Sequence, residues 1–174
     1  MGGDFSKKVT TDKITELLDG FFDAGYGSLV VGLKDSFKDE IGKIEEAEDR
    51  ELMIIPMFAI IRAVMASFGD TPQVQNIIGK FQHDIFGKYF KEKERIEQFG
   101  EIFWQRCDEY SKVLNPENKD LAIQIGQIFC THFFNKEEDG NHLGIMMVIG
   151  GSFLSTTIEA KKFLDEISSK YEIV

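Results

Sequence analysis

The residues best able to do chemistry in this chain lie in one stretch, Cys130 to Gly144 (CTHFFNKEEDGNHLG), which holds a cysteine, two histidines and three acids. Imidazole, thiolate and carboxylate are the ligand types of zinc and iron sites. The candidate metal ligands are therefore His132, Asp139 and His142, with Cys130 as a possible fourth. Two features argue against a metal. His132 continues an apolar row, Leu121, Ile125, Ile128, His132, at helical spacing, which places it at the edge of a core with a hydrogen-bond partner. No Glu-x-x-His pair occurs in the chain, so the di-iron bundle pattern is absent. A calcium loop starting at Asn135 finds oxygen ligands at Asn135, Glu137 and Asp139 and a glycine at Gly140. It then puts Met146 where a bidentate carboxylate is required. The stretch reads as a solvated connection between helices, with Lys136 near one helix end and Asp139 or Asn141 capping the next. No metal and no cofactor is expected.

Elsewhere the chemistry is thinner. His83-Asp84 resembles the paired ligands of HD-type helical phosphohydrolases, a family that also needs an upstream histidine, and none precedes His83. There is no glycine-rich phosphate loop, nucleophile elbow or Ser-His-Asp set. No catalytic residue is assigned.

Those residues must be positioned by helices. At 174 residues, 43% of them apolar, the chain fits one globular domain. The expectation is a single all-α domain over 1–174, a bundle of six or seven helices, with 1–9 as a flexible N-terminus. Ile14, Leu17, Leu18, Phe21 and Phe22 mark a first helix opened at Thr10 or Thr11. Ala24 to Ser28, holding two glycines, predicts a break, with a second helix from Ser28 to about Glu46. A third covers about Arg50 to Phe68, either kinked at Pro56 or starting there. Thr71-Pro72 and Asn115-Pro116 each pair a capping side chain with proline at the first helical position. They predict helices to about Phe90 and about Phe134. Between them, Ile96, Phe99, Phe103, Cys107, Tyr110 and Leu114 form one stripe. The last helix spans about Leu143 to Tyr171, with a kink or close contact at Gly150-Gly151.

Charge and cysteine usage narrow the partners. A net charge of −10 disfavours binding to phosphate backbones. The densest charge run, Lys34 to Glu51, has eight acids against four bases, so no nucleic-acid partner is expected. Two cysteines without a CxxC fit a reducing compartment, and the chain is read as cytoplasmic. Leu52 to Phe68 and Leu143 to Ile158 are apolar nearly all round, yet they carry Pro56 and Arg62, or three glycines and four hydroxyl residues. They are read as core helices and not as membrane spans.

Three short segments resemble known families. IIRAVMASFGD resembles the BH3 helix of Bcl-2-type proteins through Ile61, Met65, Phe68 and Gly69-Asp70. Pro72 departs from its fourth apolar position, and Gly69 is equally a helix C-cap. FFDAGYGSLVVGLKDSFKDEIGKI is similar to the early region of glycolipid transfer proteins, with Ser36 and Glu40 in place of the headgroup ligands and Lys43 retained. SFGDTPQVQNIIGKF and NPENKDLAIQIGQIFCTHFFNKE resemble the E helix and the F–G corner of globins, including the spacing between their prolines. That resemblance implies a globin-like fold. The distal and proximal haem positions would fall on Ile77 and Arg106, neither of which is an imidazole, so haem is not expected.

Two functions fit this reading. The first is a non-catalytic regulatory or scaffolding module that acts through a protein partner. The alternative is a small-molecule binding or sensing domain, either haem-free and globin-like or with an apolar pocket for a lipid. A domain of this size encloses one apolar helix more readily than two. The other is left with an outward apolar strip, and a homodimer is expected with the segment around Gly144 to Ser155 at or near the contact, where Gly144, Gly150, Gly151 and Ser152 permit close helix approach.

Overall fold

The apolar run from Leu52 onward becomes the axis of the molecule. The chain was described from a computed structural model, which covers residues 7–115, 117–136 and 140–174. Six helices form among these residues: α1 (Thr11–Ile41), α2 (Glu46–Phe68), α3 (Pro72–Tyr89), α4 (Lys93–Val113), α5 (Leu121–Phe133) and α6 (Leu143–Lys170). The other five all pack on α2. Every residue from Glu51 to Ile61 is buried, which only a central helix requires. The architecture is the expected all-α bundle.

α1 runs unbroken through Ala24 to Ser28, where a break was expected. Its interior glycines, Gly20, Gly25, Gly27 and Gly32, each cost a helix about 1 kcal/mol. Burial of Leu18, Phe22, Leu29 and Leu33 offsets this at roughly 1.5–3 kcal/mol each. Gly25 faces Pro56 of α2 and Thr156 of α6, where a Cβ would make ordinary van der Waals contact at 3.5 Å. The one departure from helical geometry in α1 is at Phe37 (φ −134°, ψ 28°), whose ring lies against Gly144 of α6.

Pro56 neither starts nor ends α2; it lies inside the helix, buried against α1. The start of α2 is fixed by a capping box, in which the Glu45 amide donates to Glu48 Oε2 at 3.0 Å. Gly69 closes it with φ 75°, as its sequence context predicts. Thr71 caps α3 by accepting from the Val74 amide at 3.3 Å, with Pro72 at the first position. The second such signal does not work this way. Asn115 Oδ1 accepts from the Glu117 amide and Asn118 Oδ1 from the Asp120 amide, both at 3.0 Å. These local turns compete with the helix and delay α5 to Leu121; Pro116 lies outside the described residues.

α6 passes through Gly150-Gly151 without a kink. The close approach is real, however. A Cβ on Gly150 would overlap the Ala122 carbonyl of α5, and one on Gly126 would overlap the Met146 carbonyl of α6. α5 and α6 therefore interlock backbone to backbone. The ends of the chain meet as well. β1 (Lys8–Val9) pairs in parallel with β2 (Glu172–Ile173), and the Thr11 amide donates to the Val174 carbonyl at 3.1 Å. Lys8 and Val9 thus belong to a paired ribbon, whereas the sequence reading grouped them with a flexible end. Residues 1–6 lie outside the described residues.

Candidate functional site

The strongest polar constellation is a chain of side chains crossing from α2 through α4 to α5. Glu51, 6% exposed, sits at the head of the apolar run of α2. Its carboxylate accepts from Arg106 Nε at 3.1 Å and from Arg106 Nη2 at 3.0 Å, a two-pronged geometry that suits a guanidinium. Arg106 Nη1 lies 3.6 Å from Glu109 Oε1, and His132 Nε2 lies 2.5 Å from Glu109 Oε2. Three helices are joined by this chain, and each member is at least partly buried. Beside it, the fully buried Tyr110 stacks on Phe58 at 5.5 Å. Its hydroxyl has no hydrogen-bond partner among the described residues, and burial holds its pKa well above the ordinary tyrosine value.

This arrangement does not resemble a reaction centre. Glu51 has both oxygens committed to Arg106, and burial pushes the Cys107 thiol up to about 12, which keeps it from acting as a nucleophile. Arg106 stands where the globin-like register put the proximal haem ligand, and its partner is Glu51. The sequence reading missed the constellation. Its available signals were an acid at the edge of a wholly apolar helix and the Arg106–Glu109 spacing on α4, and neither is specific.

Among the described residues, the candidate metal ligands His132 and His142 each have another partner. His132 turns to Glu109 on α4, while the His142 ring stacks on Phe134 with centroids 4.0 Å apart. Asp139 and Glu137 lie outside the described residues. Among the described residues, no group of three or more His, Cys, Asp and Glu could hold a metal ion. The His83-Asp84 pair also separates: His83 is exposed, and Asp84 turns toward Asp19 of α1. Asp19 has its pKa raised to about 6, chiefly by burial and then by Asp84 and Asp23; its Oδ1 lacks a hydrogen-bond partner.

Two grooves on the surface of the described residues stand out by volume. The larger, about 520 Å³, lies between the β1–α1 junction and the end of α6. Val9, Leu17, Phe163 and Ile167 form its apolar wall, and Lys8, Lys13 and Lys170 stand around it. Each of these lysines faces an acid: Glu172, Glu16 and Glu166 respectively. The smaller, about 340 Å³, runs between α1 and α6 over Gly25 and Thr156.

The most apolar exposed surface described is on α6, where the sequence reading expected an outward strip. Leu143, Met147 and Ile158 are 49%, 59% and 65% exposed, and they share one face with Gly151 and the half-buried Leu154. No charged residue interrupts the helix from Leu143 to Ile158. Segments Glu48–Phe68 and Leu143–Lys170 are both long and apolar enough to cross a bilayer. The most apolar window of the first is 72% buried in the bundle and that of the second 33%. The first lies mostly inside the bundle, and the second retains an apolar side. No family model, no curated protein and no solved structure matches the chain, so the globin-like spacing finds no support from a structural relative.

Proposed function

We propose that the chain is a cytoplasmic, non-catalytic regulatory or scaffolding module that acts through protein–protein contact, with the outward face of α6 as its contact surface. The observation that carries this reading is the row Leu143, Met147 and Ile158, exposed beside the half-buried Leu154 on the stretch of α6 that bears no charge. Apolar patches of several hundred Å² on a soluble domain mark interaction sites. The ionic chain Glu51–Arg106–Glu109–His132 serves this role indirectly, by holding α2, α4 and α5 as a rigid base behind the interlocked α5–α6 pair.

The groove of about 520 Å³ favours a second reading, a site for an apolar small molecule, since its volume falls within the range of ligand pockets. Native mass spectrometry of freshly purified protein separates the two readings. A polypeptide partner should be retained, and the double substitution Met147→Glu, Ile158→Glu should reduce it at least tenfold. A stoichiometric small-molecule adduct without a polypeptide partner would replace this reading with the second one.

A further inference from the structure

The face of α6 contains a symmetry that identifies its partner. Leu143 and Ile158 lie equally far from the midpoint between residues 150 and 151, as do Met147 and Leu154, and Gly151 sits beside that midpoint. The row therefore reads the same in both directions: large, large, small, large, large. A helix face with this pattern complements a copy of itself turned end for end, the arrangement that a two-fold axis imposes.

We infer that two copies of this chain pair through antiparallel α6 helices about a two-fold axis at Gly151, an inference that rests on α6 being the contact face. Leu143 then meets the partner's Ile158, Met147 meets the partner's Leu154, and the two Gly151 residues face each other at the centre. Small residues at the crossing point let the helix axes come close.

Three observations favour a second copy over another occupant. First, two chains of net charge −10 repel wherever acids meet, and this face has no charge from Leu143 to Ile158. Second, the neighbouring helices extend the surface at the level of the axis. On α5, Ile123, 39% exposed, follows Ala122, which touches Gly150. On α1, Val31, 58% exposed, lies midway between Gly25, level with Thr156, and Phe37, level with Gly144. Together with the α6 row these side chains expose on the order of 500 Å², most of what one partner contributes to a standard interface. Third, the two central glycines differ. Gly150 is required by the contact with α5, whereas a Cβ at Gly151 would meet nothing within 4 Å in its own chain. Packing within the protomer gives no reason for a glycine there, and a helix lying across it does.

Light scattering at tens of micromolar should give twice 19.8 kDa for the wild type and 19.8 kDa for Met147→Glu, whose circular dichroism should be unchanged because the side chain is exposed. Gly151→Cys should form a disulfide-linked dimer under mild oxidation, while the exposed Ser111→Cys on α4, away from α6, should not. A wild-type mass of 19.8 kDa at every concentration overturns the inference. So does a monomer that floats with phosphatidylglycerol vesicles, which would give the face to a bilayer. A dimer that neither cross-links through position 151 nor responds to Met147→Glu overturns it too. If native mass spectrometry instead shows a different polypeptide lost in the Met147→Glu, Ile158→Glu variant, self-pairing fails and the contact-module reading stands.

Discussion

Glu51 shows how much one residue can matter to a bundle with few buried charges. It and Arg106 are nearly out of water, with side chains 8% and 13% exposed, and they satisfy each other through parallel hydrogen bonds. Removing one partner of such a pair leaves the other charge buried without compensation, which costs about 3–5 kcal/mol. Glu51→Ala is therefore expected to lower the urea-unfolding free energy by about 3 kcal/mol. The double variant Glu51→Leu, Arg106→Met should recover most of that loss, because no unpaired charge remains. His132→Ala acts at the wetter end of the chain, beside a Glu109 whose side chain is 28% exposed. Its cost should stay within about 1 kcal/mol. A double variant no more stable than Glu51→Ala alone would show that lost packing, and not the orphaned guanidinium, dominates.

At the scale of elements, the α5–α6 pair is held by glycines that differ only in what faces them. Gly126 and Gly150 stand where the backbones of the two helices touch, so any Cβ must push the helices apart. Gly126→Ala and Gly150→Ala are each expected to cost about 3 kcal/mol or more. Gly151→Ala, one residue along, meets open space and should stabilise the isolated chain by about 1 kcal/mol, because alanine is the better helix former. Thermal unfolding of the three variants at submicromolar concentration, where self-pairing does not contribute, checks this order. Equal destabilisation at Gly150 and Gly151 would mean that the two helices do not interlock as described. The α1 helix follows the same logic in reverse: four glycines weaken it locally, and the apolar face it buries keeps it whole.

For the whole molecule, the excess of acids sets how stability responds to pH. Asp19 of α1 loses hydration by burial, and the carboxylates of Asp84, Asp23 and Glu16 add to that effect while Lys88 partly opposes it. Its pKa is raised from 3.8 to about 6, so the fold prefers its protonated form. A carboxyl raised in the folded state contributes stability below its unfolded pKa, and that contribution is lost as pH rises toward the folded value. Between about pH 4 and pH 6 the protein should lose stability from this group, and at neutral pH Asp19 is a net liability. Asp19→Asn should raise the melting temperature at pH 7.5 and leave it nearly unchanged at pH 4. An equal shift at both pH values would point to packing at Asp19, not its ionisation.

The sequence by itself determined the helical class, the capped start of α3, the buried stripe of α4 and the two helices without a polar side. Each of these depends on spacing along one helix or on a cap within a few residues of it, which local pattern records. It did not determine whether Ala24 to Ser28 would break α1, because that balance weighs glycine cost against burial on a neighbour not adjacent in sequence. It also could not show that Asn115 and Asn118 would spend their side chains on turns ahead of α5. The sequence reading expected one apolar helix to be enclosed and the other to keep an outward strip, and the packing that does this, five helices around α2 and α6 left at the edge, is supplied by the tertiary structure. The same holds for Glu51, Arg106 and His132, residues far apart in the chain, which the packing of α2, α4 and α5 brings into one line. A residue's own neighbours in sequence fix which way it can face, and the packing of distant helices decides what it meets there.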